Sequence, residues 1–82
     1  MTTSIDENKL ISLIAEVLRV PPGEIRDELD MEQTSTWDSL SHMQLIAAIE
    51  DEFSVELTAD EIVAMRSVGQ IKGVLRSKTV PS

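Results

Sequence analysis

Residues 37–53, WDSLSHMQLIAAIEDEF, form the stretch around which the rest of the sequence is organised. Asp38 is a favourable N-cap, because its carboxylate can accept hydrogen bonds from first-turn N–H groups that have no partner within a helix. Ser39 then takes the first helical position, beside free N–H groups and the positive end of the helix dipole. A phosphate ester is electrostatically favoured there. The pattern therefore predicts a helix from Ser39 to Phe53 that begins with a serine suited to phosphoryl modification.

This predicted helix carries two apolar rows. The first has the spacing of a core-facing stripe and consists of His42, Leu45, Ile46, Ile49 and Phe53. The second consists of Leu40, Met43 and Ala47, on the side that carries Ser39. Because a small domain has one core, an exposed apolar row beside a reactive serine predicts a docking surface for other proteins. The alternative is that Met43 and Ala47 pack under a neighbouring helix.

The predicted helix ends in three acids, Glu50, Asp51 and Glu52. The helix dipole is negative at that end and favours cations, so a local rule is broken. Broken local rules often mark function, and the acids therefore predict a recognition feature for basic partners. A solvated charge run leading into a loop is an equally open alternative.

Composition narrows the function classes. The chain has 82 residues, of which 41% are hydrophobic, which is enough for one modest core but small for most enzymes. It has no cysteine, and hence no disulfide, thiolate metal site or thiol nucleophile of its own. No apolar segment is long enough to cross a bilayer, and no secretory h-region is present. We therefore expect a cytoplasmic, monomeric protein without a membrane partner.

The charge is distributed unevenly. The formal net charge is −8, and residues 24–61 hold twelve acids and one base, Arg26. The charged residues within 62–82 are all basic, namely Arg66, Lys72, Arg76 and Lys78. This balance argues against nucleic acid as a partner. The acidic band surrounds Ser39 in sequence and is expected to steer basic protein surfaces toward it.

The segment before residue 37 predicts one helix and one long loop. The helix runs from Ile5 to Leu18, opens with a Ser4/Glu7 capping box and is stopped by the prolines and glycine of residues 21–23. Its core stripe is Leu10, Leu13, Ile14 and Val17, widened by Ile11 and Leu18. Residues 24–37 lack a helical period, apart from a short turn at residues 22–25. The hydrophobic residues expected to anchor this loop over the bundle are Ile25, Leu29, Met31 and Trp37.

Two more capping boxes predict the remaining helices. Thr58 and Glu61 open a short third helix, and Ser67 and Gln70 open a fourth. The fourth is expected to bury Val68, Ile71, Val74 and Leu75. The prediction is an all-α fold: a small four-helix bundle with a long loop between the first and second helices and a short third helix.

Metal binding and autonomous catalysis are poorly supported. The acids of residues 27–32 lack the central glycine and the ligand spacing of an EF-hand loop. His42 lies three residues after Ser39, but it falls on the core stripe, so we interpret it as structural and not as a general base. A serine-nucleophile enzyme would also need an oxyanion loop, and no Gly-x-Ser-x-Gly elbow or second histidine is present. We therefore expect no catalytic residue and no metal site.

The motif Asp38-Ser39-Leu40, the amphipathic helix ending at Phe53, and Ser54-Val55-Glu56-Leu57 after it resemble the acyl carrier protein family. The resemblance runs from about Ile5 to Leu75, so residues 1–82 are interpreted as a single domain of this type. It implies that 4′-phosphopantetheine is attached to Ser39, where its thiol carries acyl or aminoacyl groups as thioesters. Asp38 and Leu40 would complete the motif read by a phosphopantetheinyl transferase. The residues that would contact loading and processing enzymes with basic docking surfaces are Met43, Ala47, Glu50 and Asp51.

One departure from the family pattern bears on the pathway. Many fatty-acid carriers have acidic residues directly after Ser-Leu and again near position 44, whereas this chain has Ser41-His42-Met43-Gln44. The departure favours a specialised carrier in a secondary-metabolite, polyketide or aminoacyl pathway over fatty acid biosynthesis. The competing interpretation is an unmodified helical adaptor for protein interactions, in which Asp38-Ser39 is only a helix cap.

Overall fold

The computed structural model describes residues 7–79, and the regular secondary structure of this part of the chain is helical, with no strand. The four helices are α1 (Glu7–Leu18), α2 (Ser39–Phe53), α3 (Ala59–Ala64) and α4 (Val68–Thr79), with a 3-10 turn at Pro22–Glu24. The predicted all-α bundle, its long first loop and its short third helix are confirmed. The predicted start of the first helix at Ile5 and its Ser4 cap lie outside the described residues.

The capping chemistry explains most helix ends. The Thr58/Glu61 box is confirmed, since Thr58 N–H donates to Glu61 Oε1 at 2.9 Å and Glu61 N–H donates to Thr58 Oγ1 at 3.1 Å. The Ser67/Gln70 box is only half right. Gln70 N–H donates to Ser67 Oγ at 3.2 Å, but the amide Oε1 of Gln70 accepts the N–H of Arg66 at 3.1 Å. The side chain of Gln70 thus accepts from the backbone of the residue before Ser67 and not from Ser67 itself.

The core is continuous across α1, α2, the long loop and α4. Its buried hydrophobic residues are Leu10, Ile14, Ala15, Leu18, Ile25, Trp37, Leu45, Ile46, Ile49, Met65, Val68, Ile71 and Leu75. Five residues predicted for the helical core stripes are only partly buried, namely Ile11, Leu13, Val17, Phe53 and Val74. Ala15 and Met65 are buried although the apolar patterns did not single them out. Burial at those two positions depends on which helices pack together, and that is not a property of one helix.

The long loop is tied to the junction between α3 and α4 by backbone bonds. Met31 N–H donates to the Arg66 carbonyl at 3.0 Å, and Val68 N–H donates to the Leu29 carbonyl at 3.0 Å. Gly69 N–H donates to the Asp27 carbonyl at 3.1 Å. Because Gly69 is the second residue of α4, its N–H has no intrahelical acceptor and is free to make this bond. These bonds hold the loop against the bundle next to the start of α2.

An ion-pair cluster joins α1, the loop and α4. Lys72 Nζ lies 2.8 Å from Asp27 Oδ1 and 3.6 Å from Glu7 Oε1, and Arg76 Nη2 lies 2.7 Å from Glu7 Oε2. The hydrogen bond to Asp27 raises the pKa of Lys72, and the bonds from Arg76 and Lys72 lower the pKa of Glu7 and Asp27 respectively. These groups therefore stay charged at neutral pH. Their ion pairs help the backbone bonds to hold the loop against α1 and α4.

Candidate functional site

The start of α2 is fixed by Asp38, as the sequence predicted. Asp38 has extended backbone angles, and its Oδ1 accepts the N–H of Ser41 at 2.9 Å. Its carbonyl accepts the N–H of His42 at 2.8 Å, which is the first bond of the helix. The hydrogen bond from the Ser41 N–H holds the pKa of the Asp38 carboxyl below its ordinary value. The Asp38 carboxylate is therefore negatively charged at neutral pH, at the N-terminal end of α2 beside Ser39.

The stabilising effect of this cap is expected to depend on pH. Since the pKa of Asp38 is lower in the folded state than in the unfolded chain, its contribution is present above the unfolded pKa and is lost as pH falls through the folded pKa. Asp38→Asn should therefore lower Tm at neutral pH, and the difference from wild type should shrink toward about pH 2. Thermal melts of both proteins across this range measure it. Asp51→Asn, in the last turn of α2, should not lower Tm at neutral pH, because an acid is unfavourable at that end. A pH-independent difference for Asp38→Asn would contradict this role.

Ser39 is exposed and lies on the wall of an apolar groove of about 270 Å³. The groove is bounded by α2, α3 and the long loop. Its other lining residues are Met31, His42, Met43, Ile62, Val63 and Arg66. The serine hydroxyl is thus accessible, and a linear group attached to it would find an apolar surface directly alongside.

His42 is a structural residue, as its place on the core stripe predicted. Its ring is only 8% exposed; Trp37 Nε1–H donates to its Nδ1 at 3.0 Å, and its Nε2 lies 2.9 Å from the Ile62 carbonyl oxygen. An indole N–H can only donate and a carbonyl can only accept, so Nδ1 must be the acceptor and Nε2 the donor. Both ring nitrogens are therefore engaged, and neither is available to take a proton from Ser39. The same bonds attach α2 to the end of the long loop and to α3.

The second apolar row of α2 is exposed, which excludes its packing under a neighbouring helix. Leu40 is 69% and Met43 53% exposed, and Ala47 is also exposed. On α3, across the groove, Val63 is 68% exposed. A patch of apolar side chains therefore surrounds Ser39 at the surface.

The acids at the end of α2 have different roles. Glu50 is partly buried, and its Oε2 accepts the N–H of Leu57 at 2.9 Å, which ties the loop after α2 to the helix. Glu52 pairs with Lys9 of α1 at 3.1 Å. Asp51 is exposed. Two of the three acids thus have structural partners, and the simple picture of a solvated charge run does not describe them.

The structure brings together residues that the sequence did not associate with Ser39. Met31 was expected only as a loop anchor, while Ile62, Val63 and Arg66 were not assigned to the site. Their proximity to Ser39 depends on how α3 and the loop pack on α2. No local signal in the sequence identifies them.

Two kinds of feature are absent from the part of the chain that the structure describes. Residues 7–79 contain no group of three or more histidine, cysteine or carboxylate side chains arranged to hold a metal ion. None of the helices within those residues is both long enough and apolar enough to cross a membrane.

Comparisons with known proteins agree with this geometry. A family model described as "Phosphopantetheine attachment site" matches residues 8–75. The chain is 30% identical over 77 residues to "Polyketide-8 synthase acyl carrier protein 2" of Streptomyces avermitilis, covering 94% of this chain and 88% of that protein. It is 29% identical over 70 residues to an acyl carrier protein of Thermosynechococcus vestitus, covering 85% and 86% of the two chains. It is also 31% identical over 71 residues to one from Clostridium acetobutylicum, covering 87% and 92%. The chain belongs to the acyl carrier protein family, a family of non-catalytic carriers with covalently attached 4′-phosphopantetheine.

Proposed function

We propose that the protein holds acyl or aminoacyl groups as thioesters on a 4′-phosphopantetheine arm attached to Ser39, and presents them to partner enzymes. The observation that carries the proposal is the position of Ser39, which is exposed at the first residue of a capped helix and opens onto an apolar groove. The thiol of the attached group supplies the thioester chemistry that a chain without cysteine lacks.

Attachment requires a separate phosphopantetheinyl transferase. The Ser39 oxygen would form a bond to the β-phosphorus of coenzyme A as the diphosphate linkage breaks and adenosine 3′,5′-bisphosphate leaves. Because both nitrogens of His42 are already engaged, the base that takes the serine proton belongs to the transferase complex. The magnesium ion is likewise part of that complex. Asp38 and Leu40 contribute by position, since the first fixes the helix start and the second is an exposed apolar contact beside the serine.

The test is intact-protein mass after incubation with coenzyme A, magnesium and a broad-specificity transferase. Wild type should gain the mass of one phosphopantetheine group, Ser39→Ala should gain none, and Ser41→Ala should gain one. Circular dichroism checks that all three proteins are folded. Folded wild type that gains nothing from two different transferases would contradict the proposal and favour the unmodified adaptor.

The proposed partner surface consists of Met43, Ala47 and Asp51, the members of the predicted contact set that are exposed. Glu50 stays in the proposal through its bond to Leu57, which holds the loop beside this surface. The apolar side chains supply burial area, and the acidic surroundings attract basic partners. The proposal is that of a cytoplasmic monomer whose partners are loading and processing enzymes, with no nucleic-acid or membrane partner.

The pathway is proposed to be a specialised one, serving polyketide, other secondary-metabolite or aminoacyl chemistry. Ser41 and Gln44 stand where many fatty-acid carriers have acids, and one relative is named as a polyketide synthase carrier. Restoring the acids in Ser41→Asp/Gln44→Glu should therefore raise kcat/KM severalfold with a fatty-acid malonyl transferase, because rim charges act mainly on association rate. The matched variant Asn8→Asp/Ser12→Asp adds the same charge on α1 and should have no such effect. Equal kcat/KM for all three holo-proteins would argue against this pathway.

A further inference from the structure

Arg66 is the only cation among the residues that line the Ser39 groove. It lies two residues after the end of α3, and it also lines a neighbouring groove with Asp30 and Glu32. Asp38 carries its carboxylate one residue from Ser39, and Arg19 lines a separate groove with Asp38, Leu40 and Ser41. A positive group in this position needs a physical explanation in a chain whose net charge is −8.

The guanidinium of Arg66 makes no ion pair with any residue between 7 and 79. Carboxylates within that range pair with Lys9, Lys72, Arg76 and Lys78. Arg19 and Arg26 also make no ion pair there, but neither lines the Ser39 groove. No carboxylate within residues 7–79 therefore pairs with Arg66, even though Asp30 and Glu32 line the adjoining groove. Its donors are available to an anion that residues 7–79 do not supply.

The backbone of Arg66 is held at both of its polar groups. Its N–H donates to Gln70 Oε1 at 3.1 Å, and its carbonyl accepts the Met31 N–H at 3.0 Å. The start of the side chain is therefore fixed relative to α4 and the long loop. A side chain whose backbone is fixed in this way loses less conformational entropy when it pairs with an anion.

Modification of Ser39 would place one new anion, a phosphodiester, on this groove wall. It would lie next to the Asp38 carboxylate, and two like charges this close repel each other. A guanidinium offers several N–H donors in a planar fork that matches phosphate oxygens. The groove lining thus contains a cation suited to the group that the modification introduces.

We propose that Arg66 is a positioning residue that pairs with the phosphodiester on Ser39 and thereby directs the attached arm into the groove lined by Met31, Met43, Ile62 and Val63. This inference rests on the proposed attachment at Ser39. Arg66 has no part in the transfer reaction or in thioester chemistry, and its contribution is to the orientation of the arm in the holo-protein.

The test compares apo- and holo-protein by nuclear magnetic resonance. On conversion, the Arg66 side-chain Nε–Hε signal should shift, and that of Arg26 should not. The ³¹P resonance of holo Arg66→Gln should differ from that of wild type. Arg26→Gln is the matched control, because Arg26 is exposed, unpaired within residues 7–79 and outside the groove, and its ³¹P resonance should superimpose on that of wild type. The difference caused by Arg66→Gln should shrink at about 1 M salt, where the screening length is about 3 Å.

An unmoved Arg66 signal together with the same ³¹P resonance in wild type and Arg66→Gln would overturn the inference. Arg66→Lys provides a second check, because it keeps the charge and loses the fork, and its ³¹P resonance should lie between those of wild type and Arg66→Gln. The mass spectrum of each sample separates the two proposals. Holo-protein that forms without these shifts counts against Arg66 alone, and the absence of holo-protein counts against the attachment at Ser39.

Discussion

His42→Leu is expected to lower the free energy of unfolding by about 1–3 kcal/mol, because it leaves the buried indole N–H of Trp37 without an acceptor. That indole is 2% exposed, whereas the Ile62 carbonyl loses its bond to the ring but still accepts the Met65 N–H at 3.3 Å. A single-domain protein has only about 5–15 kcal/mol of stability in total. The variant should therefore unfold at a clearly lower urea concentration, followed by circular dichroism. Gln44→Leu, an exposed change on the same helix, should stay within about 0.5 kcal/mol of wild type.

A double-mutant cycle with Trp37→Phe isolates the bond between the two rings. Trp37→Phe removes the donor to Nδ1, so the double variant no longer contains an orphaned indole N–H. Its loss of stability should therefore be smaller than the sum of the two single losses by more than about 0.5 kcal/mol. Additive losses would show that the Trp37–His42 bond contributes nothing beyond the packing of the two side chains.

Leu45→Ala is the second change with a large expected effect, and it tests the assignment of the two apolar rows. Leu45 is fully buried, and its truncation should cost about 2–5 kcal/mol through lost burial and a cavity. Met43→Ala, two residues earlier on the exposed row, should change stability by about 0.5 kcal/mol or less. Urea unfolding of the two variants measures the contrast.

The exposed row should instead matter for partners. Met43→Ala in the holo-protein is expected to lower kcat/KM with a cognate loading enzyme about tenfold, equivalent to about 1.4 kcal/mol of binding free energy. Asn8→Ala, an exposed change on α1, serves as the control and should leave the rate unchanged. A large loss of stability in Met43→Ala, with no change in loading rate, would reverse the roles of the two rows.

The sequence was most informative where the deciding interactions are local. The start of α2 at Ser39, the cap of Asp38 and the Thr58/Glu61 box each involve residues within about three positions of one another. The end of α2 at Phe53 was also predicted correctly. There Ser54 adopts a left-handed conformation with φ of 55°, and its N–H donates to the Glu50 carbonyl, so a backbone turn ends the helix where the apolar period also ends.

The parts that could not be predicted depend on contacts between distant segments. Glu50 was expected at a partner surface, yet it is tied to Leu57 N–H across the turn after α2. His42 was placed in the core, but its second partner, the carbonyl of Ile62, lies twenty residues away. Arg66 reaches the Ser39 groove only because the long loop and the α3–α4 junction bond to each other. Periodicity and capping rules describe single helices, and these three contacts are made between elements.

The central claim is that Ser39, and no other residue, receives the phosphopantetheine group. Its most direct measurement is tandem mass spectrometry of the proteolysed holo-protein, which locates the added group on a single residue. The competing positions in the same peptide are Ser41 and the serine and threonines of residues 34–36. We expect fragment ions that place the entire added mass on Ser39. Added mass on any other residue, or on several, would contradict the account.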